Sequence, residues 1–101
     1  MPITVTSKDN DSAIYIKVID RFDYSVHKEF RAAYQNTPIS SEFIIDMSSA
    51  TYIDSSALGM LLLLREHLGD DSRNKITIKG CNPEINKILN ISNFNNLFSI
   101  T

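Results

Sequence analysis

Three consecutive polar residues, Asp54-Ser55-Ser56, join a short apolar run to the most hydrophobic stretch of the chain, and this junction constrains the fold more than any other feature. Upstream, Phe43-Ile44-Ile45-Asp46-Met47 is rich in β-branched and aromatic residues and predicts a strand buried on both faces. Downstream, residues 58–68 are too long and too Leu-rich for a strand. They end at Gly69, a residue that readily takes the left-handed conformation that stops a helix. Asp54, Ser55 and Ser56 are therefore expected at a helix N-terminus, where backbone N–H groups lack partners and partial positive charge collects. Asp54 or Ser55 suits the N-cap. One side-chain oxygen satisfies the N2 or N3 donor, so two adjacent serines exceed what capping needs and leave a hydroxyl available to chemistry.

Before the junction, Ile3 and Val5 alternate with Thr4 and Thr6. The alternation resumes at Ile14, Ile16 and Val18 after the polar stretch 9–12, which predicts a hairpin with one covered face. From Asp23 the period changes: Val26, Phe30, Ala33 and Tyr34 form one helical stripe, with Asp23 or Ser25 as cap and Pro38 as stop. After the junction, polar residues 70–74 precede an alternating strand, Lys75-Ile76-Thr77-Ile78-Lys79, and Gly80 turns the chain. Asn82-Pro83 then opens a helix whose apolar face is Ile85, Ile88 and Leu89, and Phe94, Leu97, Phe98 and Ile100 give the tail enough apolar surface to pack. The order β-β-α-β-α-β-α predicts a single α/β domain over residues 1–101, a small mixed β-sheet covered by helices. Its parallel crossovers bring the ends of strand 43–47 and of the hairpin's second strand to one edge, so Asp23 and Ser56 are expected to be neighbours.

With 43% hydrophobic and 22% charged residues, 101 residues suffice for one core. Ten basic and twelve acidic side chains, without a basic block, give no footprint for direct nucleic-acid binding. The single cysteine, Cys81, and two histidines offer no zinc spacing, and Cys81 reads as a small core residue. No metal or cofactor is expected. No stretch reads as a signal peptide or membrane span, so a cytoplasmic protein is expected.

The run Phe43-Ile44-Ile45-Asp46-Met47-Ser48, followed by Tyr52-Ile53-Asp54-Ser55-Ser56-Ala57-Leu58-Gly59, resembles the signature of STAS domains, specifically bacterial anti-sigma factor antagonists. The resemblance covers nearly the whole chain. It implies that the second serine, Ser56, is phosphorylated by a partner kinase and that the protein is a phosphorylation-controlled binding switch rather than an enzyme. The implied partners are an anti-sigma factor or switch serine/threonine kinase, and a serine phosphatase. Ala57 stands where the family usually has glycine. Asp20-Arg21-Phe22-Asp23 stands where it commonly has glycine, any residue, an apolar residue and aspartate, so Asp20 departs from the pattern and Asp23 matches it.

Around Ser56, Ser55 is expected as the cap, and Asp54 as a residue that orients the loop or is read by the kinase. Asp23 either caps its helix or is recognised by the kinase. A helical wheel puts Ala57, Leu61, Leu64 and Leu68 on one face and leaves Met60 and Leu63 in surplus. Those two either lie under a neighbouring helix or form an apolar contact patch for the partner. Other chemistries find little support. Asp-Ser-Ser-Ala lacks the glycines of a nucleophile elbow, His67 lies three helical turns from Ser56, and both histidines read as solvated helix residues. Asp46 has no acidic pair beside it for a phosphoryl receiver, and no glycine-rich phosphate loop occurs. The competing non-enzymatic reading is a STAS accessory subunit docked on a membrane lipid or anion transporter.

Overall fold

The expected hairpin is present: β1 (Ile3–Lys8) pairs antiparallel with β2 (Ala13–Phe22), Val5 opposite Ile16. The structure is a computed structural model that describes residues 3–8, 13–35, 42–69 and 75–101. Pro38 and the polar stretches 9–12 and 70–74 lie outside the described residues. The chain continues through α1 (His27–Tyr34), β3 (Glu42–Ile53), α2 (Ser55–Leu68), β4 (Ile76–Lys79), α3 (Pro83–Ile91) and β5 (Ser99–Ile100). The strands lie in the order β1-β2-β3-β4-β5, with every pair after the hairpin parallel, so the sheet is mixed. The tail therefore does more than pack: β5 joins the sheet, and the Thr101 N–H donates to the Ile78 carbonyl at 3.0 Å.

Two further expectations are corrected. The strand read as 43–47 runs on to Ile53, and it is buried on one face only: Phe43, Ile45 and Met47 are buried, whereas Ile44 and Asp46 are half-buried. The helices accordingly cover one side of the sheet. Buried residues of all three helices join those of the strands in a single cluster, while Tyr15, Lys17, Asp46 and Lys79 alternate onto the opposite side, where Lys79 Nζ lies 5.7 Å from the Tyr15 ring. A one-sided sheet alternates, and the aspartate and lysines satisfy that pattern.

The extra length of β3 is accommodated by two irregularities. Pairing steps from Lys17↔Asp46 to Ile19↔Ser49, and again from Asp20↔Ala50 to Arg21↔Tyr52, so β3 spends one extra residue each time. Asp20, at the second step, has φ +65°, and its carbonyl accepts the Thr51 hydroxyl at 3.2 Å. Aspartate is one of the few non-glycine residues that tolerate this left-handed region, which explains a position where glycine and aspartate both serve.

The helix stripes follow the sequence pattern. Val26, Phe30, Ala33 and Tyr34 are buried, as are Ala57, Leu61, Leu64 and Leu68. Phe30 sits between Phe22 and Tyr34, with ring centroids 5.2 and 5.8 Å away. Gly69 ends α2 by donating its N–H to the Arg65 and Glu66 carbonyls, and Asn82 caps α3 through the Ile85 N–H at 2.8 Å.

Candidate functional site

Ser56 is positioned by the way β3 ends. Ile53 turns into the core, and Asp54 takes an extended conformation (φ −133°, ψ −176°) from which its carboxylate accepts the Ala57 N–H at 3.1 Å. Asp54 is thus the N-cap, and Ser55, expected in that role, is the exposed first residue of α2. The carboxylate also brings negative charge to the positive end of the helix, which a hydroxyl does not. Ser56 follows, half-buried, and among the described residues its hydroxyl has no hydrogen-bond partner. The Ser25 hydroxyl, by contrast, is bound to Asp23.

Ser56 opens onto a groove of about 570 Å³ between α1 and α2. The α2 wall is Ser56, Gly59, Met60 and Leu63. The facing wall is Tyr24, His27, Phe30, Arg31 and Tyr34. Beyond Arg31, Tyr34 and Leu63 the groove continues to Gln35, Glu66 and His67. The two surplus apolar residues separate: both line the groove, but Met60 is only 7% exposed, whereas Leu63 is 55% exposed. The exposed apolar residues of α2 are therefore Leu62 and Leu63, not Met60.

The α1 wall is held by local contacts. Tyr24, 64% exposed, stacks on His27 with ring centroids 3.9 Å apart and planes 11° apart. His27 Nδ1 lies 2.7 Å from the Tyr24 carbonyl oxygen. A carbonyl can only accept, so Nδ1 carries the proton. His67 packs against Tyr34 with centroids 5.2 Å apart, and its Nε2 is buried without a hydrogen-bond partner among the described residues. Neither histidine is the solvated helix residue expected, because each has an aromatic ring to pack against. Burial pushes the Tyr34 phenol up, opposed by the Arg31 charge.

Asp23 caps the short 3₁₀ turn Tyr24–Val26 that leads into α1. It accepts the Ser25 N–H at 3.0 Å, the Ser25 hydroxyl and Arg21 Nε at 3.1 Å. These bonds, the Ser25 hydroxyl foremost and Arg21 next, hold its carboxyl below the usual carboxylate range. Phe22 pairs with Ile53, so Asp23 and Asp54 each lie one residue past the same rung and leave the same sheet edge. Tyr24, next to Asp23, shares the groove with Ser56.

Sequence reasoning missed Tyr24, His27 and Arg31 as a wall, although their spacing of three and then four residues marks a second helical stripe beside the core stripe. It also missed Arg21, whose guanidinium lies 4.2 Å from the ring of Tyr52, itself 40% exposed. That pair exists only through the β2–β3 register. Among the described residues there is no group of three His, Cys, Asp or Glu side chains placed to hold a metal, and no helix long and apolar enough to cross a membrane.

Comparison with known proteins places this geometry in context. A STAS-domain containing protein of Pseudomonas aeruginosa (strain UCBPP-PA14) is 44% identical over 102 residues, spanning 100% of both chains. An anti-sigma factor antagonist from Mycobacterium paratuberculosis superposes with a TM-score of 0.75 at 19% identity, over 97% of this chain and 84% of that one. The Bacillus cell fate determinant SpoIIAA, in its phosphorylated form, gives a TM-score of 0.66 at 13% identity, over 98% of this chain and 90% of that one. At these identities the structural likeness is one of fold. Residues 5–99 match the model of the family described as "Mlab, STAS domain", and the chain belongs to the STAS domain family.

Proposed function

We propose that this chain is an anti-sigma factor antagonist of the partner-switching kind. With Ser56 unmodified it binds an anti-sigma factor or switch serine/threonine kinase, and with Ser56 phosphorylated it releases that partner. It acts by binding and not as an enzyme. The observation that carries this reading is the Ser56 hydroxyl: half-buried at the start of α2, without a partner among the described residues, and sharing a groove with exposed Leu63. The fold shared with anti-sigma factor antagonists, among them the antagonist SpoIIAA, whose structure is known in a phosphorylated form, supports it.

In the modifying step the kinase brings a nucleoside triphosphate. The bond from Ser56 Oγ to the terminal phosphorus forms, the bond to the leaving diphosphate breaks, and the hydroxyl proton passes to a base on the kinase. The product carries about −1.5 to −2 charges at neutral pH. The free N–H groups of the helix start favour that dianion against the charge of Asp54, and the Asp54 cap on Ala57 is untouched. A partner seated on Leu62 and Leu63 would have to strip the dianion of water, at a cost of roughly several kcal/mol. Binding is lost and the fold survives. A serine phosphatase restores the binding state.

The test is a calorimetric titration of the anti-sigma factor or switch kinase from the same organism with unmodified protein and with protein carrying phosphoserine at position 56. Affinity is expected to fall at least about 100-fold, or about 2.7 kcal/mol. Equal affinity overturns the reading. Constitutive docking on a membrane lipid or anion transporter is the second reading. The exposure of Leu62 and Leu63 favours it, since a permanent interface needs the apolar patch and not the hydroxyl.

A further inference from the structure

We propose that His27 and Arg31, on the α1 wall, bind the phosphate oxygens of phosphorylated Ser56 by hydrogen bonds and charge, so that the modified protein closes its own groove with a bridge from α2 to α1. This rests on the reading of Ser56 as the phosphorylation site and adds where the phosphate goes.

His27 and Arg31 lie one helical turn apart on α1 and line the same groove as Ser56. The His27 ring is already oriented. Tyr24 stacks on one face and the Tyr24 carbonyl holds Nδ1, so Nε2 is the nitrogen left to donate to a phosphate oxygen once the ring is an imidazolium. Arg31 supplies a permanent cation with the fork geometry that suits phosphate. On the α2 side, Gly59 lies three residues after Ser56 on the same face, and a Cβ placed there would meet nothing within 4 Å. The wall beside Ser56 is therefore open, with room for a group of three oxygens.

The remaining charges oppose this only in part. Asp54, though hydrogen-bonded to the Ala57 N–H, keeps its charge and works against the dianion, whereas the charge of Asp23 is offset by Arg21. Glu66 and His67 lie at the far end of the groove, ten and eleven residues along α2 from Ser56, or about 15 Å of helix rise. The α2 N-terminus itself attracts a dianion, but it cannot join the two helices. A bridge from Ser56 to His27 and Arg31 does so, and it fills the space beside Met60 and Leu63 that a partner would enter.

The measurement is the second ionisation of phosphoserine at position 56, followed by ³¹P NMR titration of the full chain and of a peptide spanning residues 51–60. A free phosphoserine loses this proton at about pH 6. Bridging cations lower the midpoint and nearby carboxylates raise it. The midpoint in the full chain is expected at least about half a unit below that of the peptide, and Arg31→Gln and His27→Gln are each expected to return part of the shift. A midpoint at or above the peptide value overturns the proposal. So does a lowered midpoint that neither variant moves, since the helix N-terminus alone would then account for it. Should His27→Gln disturb the Tyr24 turn, Arg31→Gln, at an exposed helix position, decides the matter. Partner release by the phosphoprotein without a lowered midpoint removes this inference and leaves the switch standing. Partner retention removes the switch itself.

Discussion

Gly80 rests directly on Ser48: a Cβ at Gly80 would lie 3.0 Å from both the nitrogen and the Cβ of Ser48, and the Gly80 φ is +76°. The turn after β4 therefore needs glycine twice, for its left-handed backbone and for the approach to β3. Gly80→Ala is expected to destabilise the domain by at least about 1–3 kcal/mol from backbone strain alone. Urea unfolding measures this, and a change below about 0.5 kcal/mol would show that the turn relaxes freely.

Asp54 and Ser55 have opposite expectations under mutation. Asp54→Ala removes the cap from α2 and is expected to cost about 1 kcal/mol, whereas Asp54→Asn keeps the acceptor and most of the stability. Ser55→Ala, at an exposed first-turn position, is expected to change stability by less than about 0.5 kcal/mol. Thermal and urea denaturation of the three variants distinguish a capping aspartate from a capping serine.

Adjacent leucines on α2 should separate folding from binding. Leu64 is fully buried, and Leu64→Ala is expected to cost about 2–5 kcal/mol. Leu63→Asp, on the exposed rim, is expected to leave the unfolding midpoint nearly unchanged and to weaken the partner complex at least about tenfold. Wild-type affinity in Leu63→Asp would place the interface elsewhere on the molecule.

Acid should unfold the domain partly through Asp46. Its carboxylate accepts the Ser48 N–H at 3.0 Å as well as the Ser48 hydroxyl, with Lys79 and Lys17 in the neighbouring strands. The Ser48 bonds, the hydroxyl foremost, outweigh partial burial and hold the carboxyl below its usual range. Because the folded value is depressed, the contribution is complete above the unfolded value of about pH 4 and is lost as pH falls through the folded one. Asp46→Asn is expected to lower stability at pH 7 and to flatten the decline below about pH 4. Urea midpoints across that range decide it, and acid limbs of equal slope would exclude the carboxylate.

Much of this architecture was legible because it rests on local periodicity. Alternation in Ile14, Ile16 and Val18, the stripe Val26, Phe30, Ala33 and Tyr34, and the stop at Gly69 each depend on neighbours in the chain. What escaped depends on distant partners. Residues Ser48-Ser49-Ala50-Thr51-Tyr52 have no strand pattern of their own and belong to β3 because β2 runs beside them. Met60 is buried off the core stripe of α2, in the groove it shares with α1, and β5 is a strand only because β4 offers an edge. At the site, Ser56 stood out by its position after a cap. The wall opposite it, Tyr24 and His27, gave only a weak spacing signal, because its meaning depends on which helix it faces.

The two irregular steps in β3 have a consequence for which changes of length the chain tolerates. Between Met47 and Ile53 the buried residues recur at every third position, Met47, Ala50 and Ile53, because each step takes up one residue beyond the two-fold alternation. Losing one residue at either step would therefore erase that bulge and restore even alternation, leaving Ile53 facing inward. A chain shortened there would keep the serine on its own side of the molecule, whereas the same loss between Phe43 and Met47, where the alternation is even, would turn the strand over.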